Sequence, residues 1–507
     1  MKAIIIGAGL AGLTMGCELV KKGHTVTVYE QNSFIGGVMH HAQKNGYEWE
    51  QGPLMLTSFD GGGACRRILS SLGVTYDVMF CDRGSVFPDF ALWKPVKYAG
   101  PLWRKEELLK QFPDEKKGLD AYYSFYDHML TLYDIQDKLE EKKSLWYSLR
   151  LFIAFLWIKK YASMSAEELM DTFFKNDHLK TVFIAILADL CMKPCELTAL
   201  AVPSLNIETA FDKRIYTKRG KLIDPHFTYI AGGTERITEQ LGAVIEENKG
   251  KIVTGATVEK VIVENGRAVG VRLSDGKTDT ADVVIASGGA KELFFKLVGR
   301  QYLSDEYIKT VSEILPMEAV FMVHLGLDFD PMQYQKSELC YYYLTYDIDG
   351  AVDDMRKGIY HEGRQGFLIY VDSAHGDNMA PKGKYAVTIY TVAPDTLLSA
   401  NWEDKKERYA DMLLELAEKY IPGLRSHITE KVIMAAPDYR KLMHVDHVSF
   451  GGLVPLIGHI RPGHITPVKN LFFIGAQSES GGGVNTQIRA MHKLFKDVIS
   501  NANTAKH

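Results

Sequence analysis

Strand-length apolar runs separated by glycines open the chain. Residues Ala3 to Ile6 form one such run, the spacing that follows predicts a helix to about Lys22, and Thr25 to Tyr29 reads as a second strand, so the first 30 residues predict a β-α-β unit. Between about residues 100 and 200 the period becomes helical. There Ser165-Ala-Glu-Glu168 has the form of a capping box that opens one helix. From Lys251 to Ala286, β-branched runs alternate with turns at Glu264-Asn265-Gly266 and Ser274-Asp275-Gly276, which predicts hairpins returning to a sheet. Residues 315 to 395 add strand-like stretches, among them Phe367 to Val371 and Tyr385 to Val392, and a helix near Asp404 to Tyr420 follows. Asn470 to Ile474 is an apolar strand running into Gly475 and the cluster Gly481-Gly482-Gly483.

One apolar segment stands apart. Leu145 to Ile158 is shorter than the roughly 18 residues a membrane span needs, carries two tryptophans, and has Lys142, Lys143, Lys159 and Lys160 at its ends. Two readings are open: a buried helix of a substrate domain, or a helix lying on a membrane surface that admits a lipid-soluble substrate.

Composition narrows the class. A chain of 507 residues exceeds the roughly 100 to 200 residues of a usual domain, so at least two cores are expected. With 46% hydrophobic and 24% charged residues it is globular. Lys plus Arg number 59 against 63 Asp plus Glu, and no basic run forms a phosphate-binding stripe, which argues against nucleic acid as a partner. Six cysteines, at 17, 65, 81, 191, 195 and 340, are too sparse for a disulfide framework and fit a reducing compartment. Cys191 and Cys195 have helical spacing in an apolar stretch and read as two buried small side chains rather than a metal site; no metal site is predicted. The first apolar run is far shorter than a secretory core, so the expected location is cytoplasmic, with peripheral membrane contact through 145–158 as the addition.

The chemistry begins at Gly7-Ala8-Gly9-Leu10-Ala11-Gly12, which follows a strand and opens a helix. Gly7 permits the tight turn, Gly9 lets backbone approach a pyrophosphate, and Gly12 lets helix and strand pack closely. The N–H groups of the helix's first turn then face the anion at the positive end of the helix dipole. Glu30 ends the second strand, 18 residues beyond Gly12, where a carboxylate accepts hydrogen bonds from ribose hydroxyls and repels a 2'-phosphate. That favours FAD or NAD over NADP. A second pair, Gly36-Gly37, lets backbone reach the far side of a longer cofactor and points to FAD.

Together Gly7 to Gly12, Glu30, Gly36-Gly37 and Gly52-Pro53 resemble the phytoene desaturase-like branch of FAD-dependent oxidoreductases, which includes carotenoid desaturases, carotenoid isomerases and retinol saturases. The likeness continues through Ala231-Gly232-Gly233, Gly255 to Val261 and Ala281 to Ser287, and through Thr466 to Ala476 with Gly481 to Asn485. It implies an α/β fold: a Rossmann-like FAD-binding domain from residues 1–90, 225–300 and 451–507, a helical lid region at 91–224, and a second α+β substrate domain at 301–450. By the same resemblance the cofactor residues are Gly7, Gly9, Leu10, Ala11, Gly12, Glu30, Gln31, Gly36, Gly37, Val38, Pro53, Leu54, Met55, Val258, Ala286, Ser287, Gly475, Ala476, Gly482, Gly483, Val484 and Asn485. A glycine-rich turn opening a helix near Asn485 would aim N–H groups at the flavin N1 and C2 carbonyl. Two departures are visible: Val38 stands where family members often carry Arg, and Gln477-Ser478-Glu479-Ser480 replaces a loop of Gly-Thr-His-Pro type.

The implied activity is desaturation or saturation of a carbon–carbon bond in an isoprenoid or other lipophilic substrate, with hydride transfer at flavin N5. The alternatives are an amine oxidase or polyene isomerase on the same fold, or a non-catalytic prenyl-lipid carrier like the Rab GDP-dissociation inhibitors. The electron donor or acceptor is left open. Glu479, just before the flavin-facing glycines, is the first candidate for proton transfer, and His40 the second, with His41 beside it. Tyr341, Tyr342 and Tyr343 alternate on a predicted strand, so they divide between a pocket and the opposite side.

Overall fold

The computed structural model describes residues 1–60, 62–80, 83–95, 102–141, 144–186, 190–205, 215–216, 222–223, 228–315, 317–448, 450, 452–453 and 456–504. Cys81, Lys142, Lys143 and the domain boundaries expected at 224–225 and at 451 lie outside the described residues.

Five parallel strands form the first sheet, in the order Lys251–Val253, Thr25–Tyr29, Lys2–Ile6, Val283–Ala286 and Leu471–Phe473. They come from three separate stretches of chain. Side chains alternate across this sheet: Ala3 and Ile5 pack with helices Leu10–Val20, Glu235–Glu247 and Val484–Thr504. Ile4 packs on the opposite side with Val261 and Val271 of the antiparallel sheet Val258–Glu264, Arg267–Leu273, Thr278–Thr280. Both faces are therefore covered, which is why the first strand is apolar at successive positions rather than alternating. The first hairpin turns at Asn265 and Gly266, both at positive φ (49° and 73°), the geometry that Asn-Gly turns favour.

The second sheet has seven strands, in the order Ile428–Met434, Ala319–Leu327, Tyr385–Ala393, Gly366–Tyr370, Leu339–Tyr343, Arg83–Val86 and Ala91–Leu92. Arg83–Val86 pairs in parallel with Leu339–Tyr343, so the chain has crossed to this sheet before residue 90. Tyr342 lies opposite Phe367 on the face covered by Tyr420, with ring centroids 4.3 Å apart, and Trp402 of helix Trp402–Glu418 stacks on Phe321 of the same face. Tyr341 and Tyr343 occupy the other face, their rings 5.6 Å apart and nearly parallel, with Phe87 beyond them.

Helices Trp103–Gln111, Lys116–Glu141, Leu145–Ile158, Ala166–Phe173 and Asp177–Ile184 supply side chains to the same continuous core as this sheet. The capping box forms as expected: Glu168 N–H donates to Ser165 Oγ at 3.2 Å, and Ser165 N–H to Glu168 Oε2 at 2.8 Å. The helix Leu145–Ile158 matches the apolar segment residue for residue, but only Ile158 is buried. Leu145 is 88% exposed, Trp146 64%, Phe152 59% and Trp157 63%, which overturns the buried-helix reading. Among the described residues no helix is long and apolar enough to cross a membrane.

One member of the cysteine pair, Cys195, departs from the expected burial. The helix ends at Ile184, Cys191 lies in a turn with φ of +51°, and Cys195 is exposed. Cys191 and Met192 are buried in the core, Cys191 as expected. Among the described residues no cluster of His, Cys, Asp or Glu is placed to hold a metal ion.

Candidate cofactor site

The first glycine turn is built by close approach. Gly7 has φ of +96° and donates its N–H to Tyr29 O at 2.8 Å, and a Cβ added to it would lie 2.4 Å from Ser287 Oγ. A Cβ on Gly12 would lie 2.1 Å from Gly7 O, so that position admits only hydrogen. Gly9 is different. It sits at the start of helix Leu10–Val20 with φ of −76°, no side chain caps the helix there, and a Cβ on it would meet nothing within 4 Å. An uncapped helix N-terminus facing open space is a ready anion site.

The second glycine turn lies against the first. Gly36, at φ of +104°, donates its N–H to Ala8 O at 2.8 Å, and a Cβ on Gly37 would lie 3.5 Å from Gly9 Cα. Glu30 is 8% exposed, with Oε2 accepting from Ala8 N–H and Oε1 from Asn32 N–H, both at 2.8 Å. Each carboxylate oxygen keeps a further lone pair for a hydroxyl donor. Ala256 N–H donates to Glu30 O at 2.8 Å, which brings buried Val258 close to the end of the second strand, while Gln31 is exposed.

Gly52 packs so tightly on Val38 that a Cβ would lie 2.3 Å from Val38 O. Beyond Pro53, Leu54 and Met55 pack against the large core, and Leu56 exchanges backbone hydrogen bonds with Thr228 at 3.0 and 2.8 Å. The C-terminal motif closes onto the same place. Ile474 N–H donates to Ala286 O at 2.8 Å, and a Cβ on Gly475 would lie 3.6 Å from Ser287 Cβ. Leu453 N–H donates to Ala476 O at 2.8 Å, Gly482 N–H to Leu453 O at 3.0 Å, and Gly483 ends the loop before helix Val484–Thr504. Asn485 Nδ2 donates to Thr57 Oγ1 at 2.9 Å, two residues past Met55.

The proton-transfer candidates are placed less suggestively. Glu479 is exposed, and its Oε1 accepts His464 N–H at 2.7 Å; Ser478 Oγ donates to Gly475 O at 2.7 Å and Gln477 Oε1 accepts Ala290 N–H at 2.9 Å. The polar loop is thus tied to its own start at Gly475 and to the backbone of His464 and Ala290. The His40 ring pairs with Glu235 and stacks on Phe34 at 3.9 Å. Both candidates are thus engaged by protein groups, Glu479 by the His464 backbone and His40 by Glu235.

The sequence reading missed a buried polar cluster around His41, made of Glu48, Glu50, Glu235, Thr234 and Asp372. The available signal was local: Glu48 lies on strand Tyr47–Trp49 and Glu50 follows directly, two residues apart in extended chain. His375, buried at 3% exposure, packs tilted against Tyr229 with ring centroids 3.4 Å apart and has neither ring nitrogen hydrogen-bonded.

A profile of the family described as flavin containing amine oxidoreductase matches residues 10–490. The chain belongs to that family. The chloroplastic prolycopene isomerase of Daucus carota is 24% identical over 95% of this chain and 77% of its own length. A phytoene desaturase (lycopene-forming) of Paracoccus sp. is 24% identical over 95% of this chain and 94% of its own. An oxidoreductase from Methanosarcina mazei of known structure covers 98% of this chain and 100% of its own with a TM-score of 0.67 at 20% identity, which shows the shared fold. The chain is a FAD-dependent oxidoreductase, and the open space over Gly9, the uncapped helix start and the buried Glu30 carboxylate fit that cofactor.

Proposed function

We propose that this flavoenzyme desaturates or saturates a carbon–carbon bond in a lipophilic isoprenoid-type molecule. The observation that carries the reading is the convergence of distant glycine turns, Gly7 and Gly475 each against Ser287 and Gly9 against Gly36-Gly37, in a chain whose second sheet carries Tyr341 and Tyr343 on one face with Phe87 packed on Tyr343. The relatives' names, a desaturase and an isomerase of polyenes, support the substrate class.

In this reading Gly7, Gly9 and the first turn of helix Leu10–Val20 hold the pyrophosphate, Glu30 holds ribose hydroxyls, and Gly36-Gly37, Pro53 to Met55 and Gly482 to Asn485 surround the flavin. Residues 1–90, 225–300 and 451–507 then form the FAD-binding domain, with 91–224 as lid and 301–450 as substrate domain, and with Arg83–Leu92 lent to the substrate sheet. FAD supplies hydride acceptance or return. The protein's part is to orient the substrate on an apolar face and exclude water.

The exposed helix Leu145–Ile158 supports a further element: it rests on a lipid surface and delivers the substrate from it. Its apolar side chains face solvent, and Lys159 and Lys160 follow directly, a combination suited to anionic lipid. Co-sedimentation with anionic liposomes, lost on replacing Trp146 and Trp157 by Ser at unchanged Tm, is the expected outcome; equal sedimentation of both proteins rejects this element.

The reaction is tested by reducing the protein-bound flavin anaerobically and reoxidising it with a panel of polyenes, enones, quinones and, as control, imines. Reoxidation by polyenes or enones is expected. Reoxidation by imines alone assigns the chain to carbon–nitrogen chemistry instead. The likeness to prolycopene isomerase favours a second reading, double-bond isomerisation, which a product of unchanged mass would establish.

A further inference from the structure

The second glycine turn has no polar side chain of its own: Gly36, Gly37, Val38 and Met39 offer only backbone. Beyond its backbone contacts with Ala8 and Gly9, side-chain anchorage comes from the two histidines that follow. The His40 ring pairs with Glu235 and its carbonyl accepts from Gln51 Nε2 at 2.6 Å. His41 N–H donates to Glu235 Oε2 at 3.2 Å, and its ring, 1% exposed, enters a nest of carboxylates. Nδ1 lies 3.1 Å from Glu48 Oε2 and 3.4 Å from Glu235 Oε2, and Nε2 lies 3.6 Å from Glu50 Oε1, beyond hydrogen-bond reach but close enough for ion pairing.

The carboxylates are themselves fixed from different elements. Glu235 stands in the first turn of helix Glu235–Glu247, and Glu50 accepts both Thr234 N–H and Thr234 Oγ–H at 2.7 Å, just ahead of that helix. Glu50 N–H donates to Asp372 Oδ1 at 2.8 Å, from the end of the second sheet. The fit is tight, since a Cβ on Gly233 would lie 2.2 Å from the His41 ring. Thr238 of the same helix approaches Gly36, so helix and glycine turn form one unit.

Without a cation at residue 41, Glu48, Glu50 and Glu235 would face one another across a nearly water-free space. Burial works against charge on the His41 ring. Hydrogen bonding to Glu48 and the close negative charges of Glu50 and Glu235 overcome it and push its pKa up to about 10. Asp372 faces the same space with its carboxyl raised well above the usual carboxylate range, first by burial and also by the charge of Glu50.

We propose that His41 is a positioning residue for the cofactor, holding the second glycine turn against the first by ion pairing with Glu48, Glu50 and Glu235. The inference rests on the FAD reading above. A raised folded-state value means the latch is complete below the ordinary histidine value of 6.5 and is lost as pH rises toward 10. Removing one carboxylate charge moves that loss toward neutral pH.

The test is the FAD dissociation constant, read from flavin fluorescence between about pH 6 and about pH 9, for wild type, His41→Gln and Glu50→Gln, with Tm of each apoprotein. Wild type should hold FAD almost evenly across this range. H41Q should bind at least about tenfold more weakly throughout, without pH dependence, and E50Q should bind nearly as wild type at the acid end and about tenfold more weakly at the alkaline end. Should H41Q fail to fold, E50Q, which is isosteric and keeps an acceptor for Thr234, decides alone. Dissociation constants within threefold of wild type at all pH values for the folded variants overturn the inference. A wild-type protein that takes up no FAD at any pH overturns the cofactor reading itself, an outcome no variant profile imitates.

Discussion

Gly9 and Gly12 stand three residues apart at the same turn, yet the structure gives them opposite roles, and alanine separates these. At Gly12 the added carbon meets Gly7 O at 2.1 Å, far inside contact distance, so strand and helix must part. Overpacking of this kind costs about 1–3 kcal/mol, and Gly12→Ala should lower the stability of apoprotein and holoprotein alike. At Gly9 the backbone is ordinary for any residue, φ −76° and ψ 176°, and the carbon meets no protein atom within 4 Å. Loss of the flexible glycine gains about 0.4–1 kcal/mol through the unfolded chain, offset by a few tenths for a poorer helix cap, so apoprotein Tm should barely move. The methyl does occupy the space over the uncapped helix N-terminus. Holding the pyrophosphate back from those N–H groups weakens charge-assisted hydrogen bonds worth about 1.5–3 kcal/mol, a loss in FAD affinity of about tenfold or more. Calorimetry of the apoproteins and fluorescence titration with FAD give both numbers. A Gly9→Ala protein that folds as wild type and binds FAD equally well would refute the placement of the cofactor over this turn.

Three further outcomes follow from buried or reciprocal polar groups. His324 and His375 are held near 3 and His361 near 4 by burial, below the ordinary 6.5, so they fold as neutral rings. Stability is then full above about pH 6.5 and falls in acid, by about 2 kcal/mol for each ring at pH 5, while the His41 contribution, complete below about pH 6.5, is not lost on acidification; a Tm unchanged between pH 7 and pH 5 would contradict this. Glu30→Gln keeps one acceptor where the carboxylate serves both Ala8 and Asn32, and leaving one buried N–H unsatisfied should cost about 1–3 kcal/mol in chemical denaturation together with weaker FAD binding. Ser165→Ala removes one half of a formed capping box and should cost about 1 kcal/mol with no change in FAD affinity.

The local pieces of the fold were legible because their causes are local. A tight turn at Gly7 requires φ of +96°, a hairpin at Asn265-Gly266 requires two positive φ angles, and Ser165 and Glu168 satisfy one another within four residues, so the residue types themselves announce the structure. The parallel strands were legible for a similar reason, since burial on both faces leaves an unbroken apolar run. Side chains answering to distant partners were not. Whether Leu145–Ile158 is covered, which of Tyr341 to Tyr343 meets which layer, and where the helix before Cys191 stops all depend on what lies opposite, which no window of sequence contains. The cluster at His41 is the clearest case: Glu48 and Glu50 are near in sequence, but Glu235 lies 194 residues away from His41 and Asp372 lies 322 from Glu50. Sequence determined where backbone had to be bare of side chains; only tertiary packing decided which charges would be shut in together, because desolvation exists only once the elements have met.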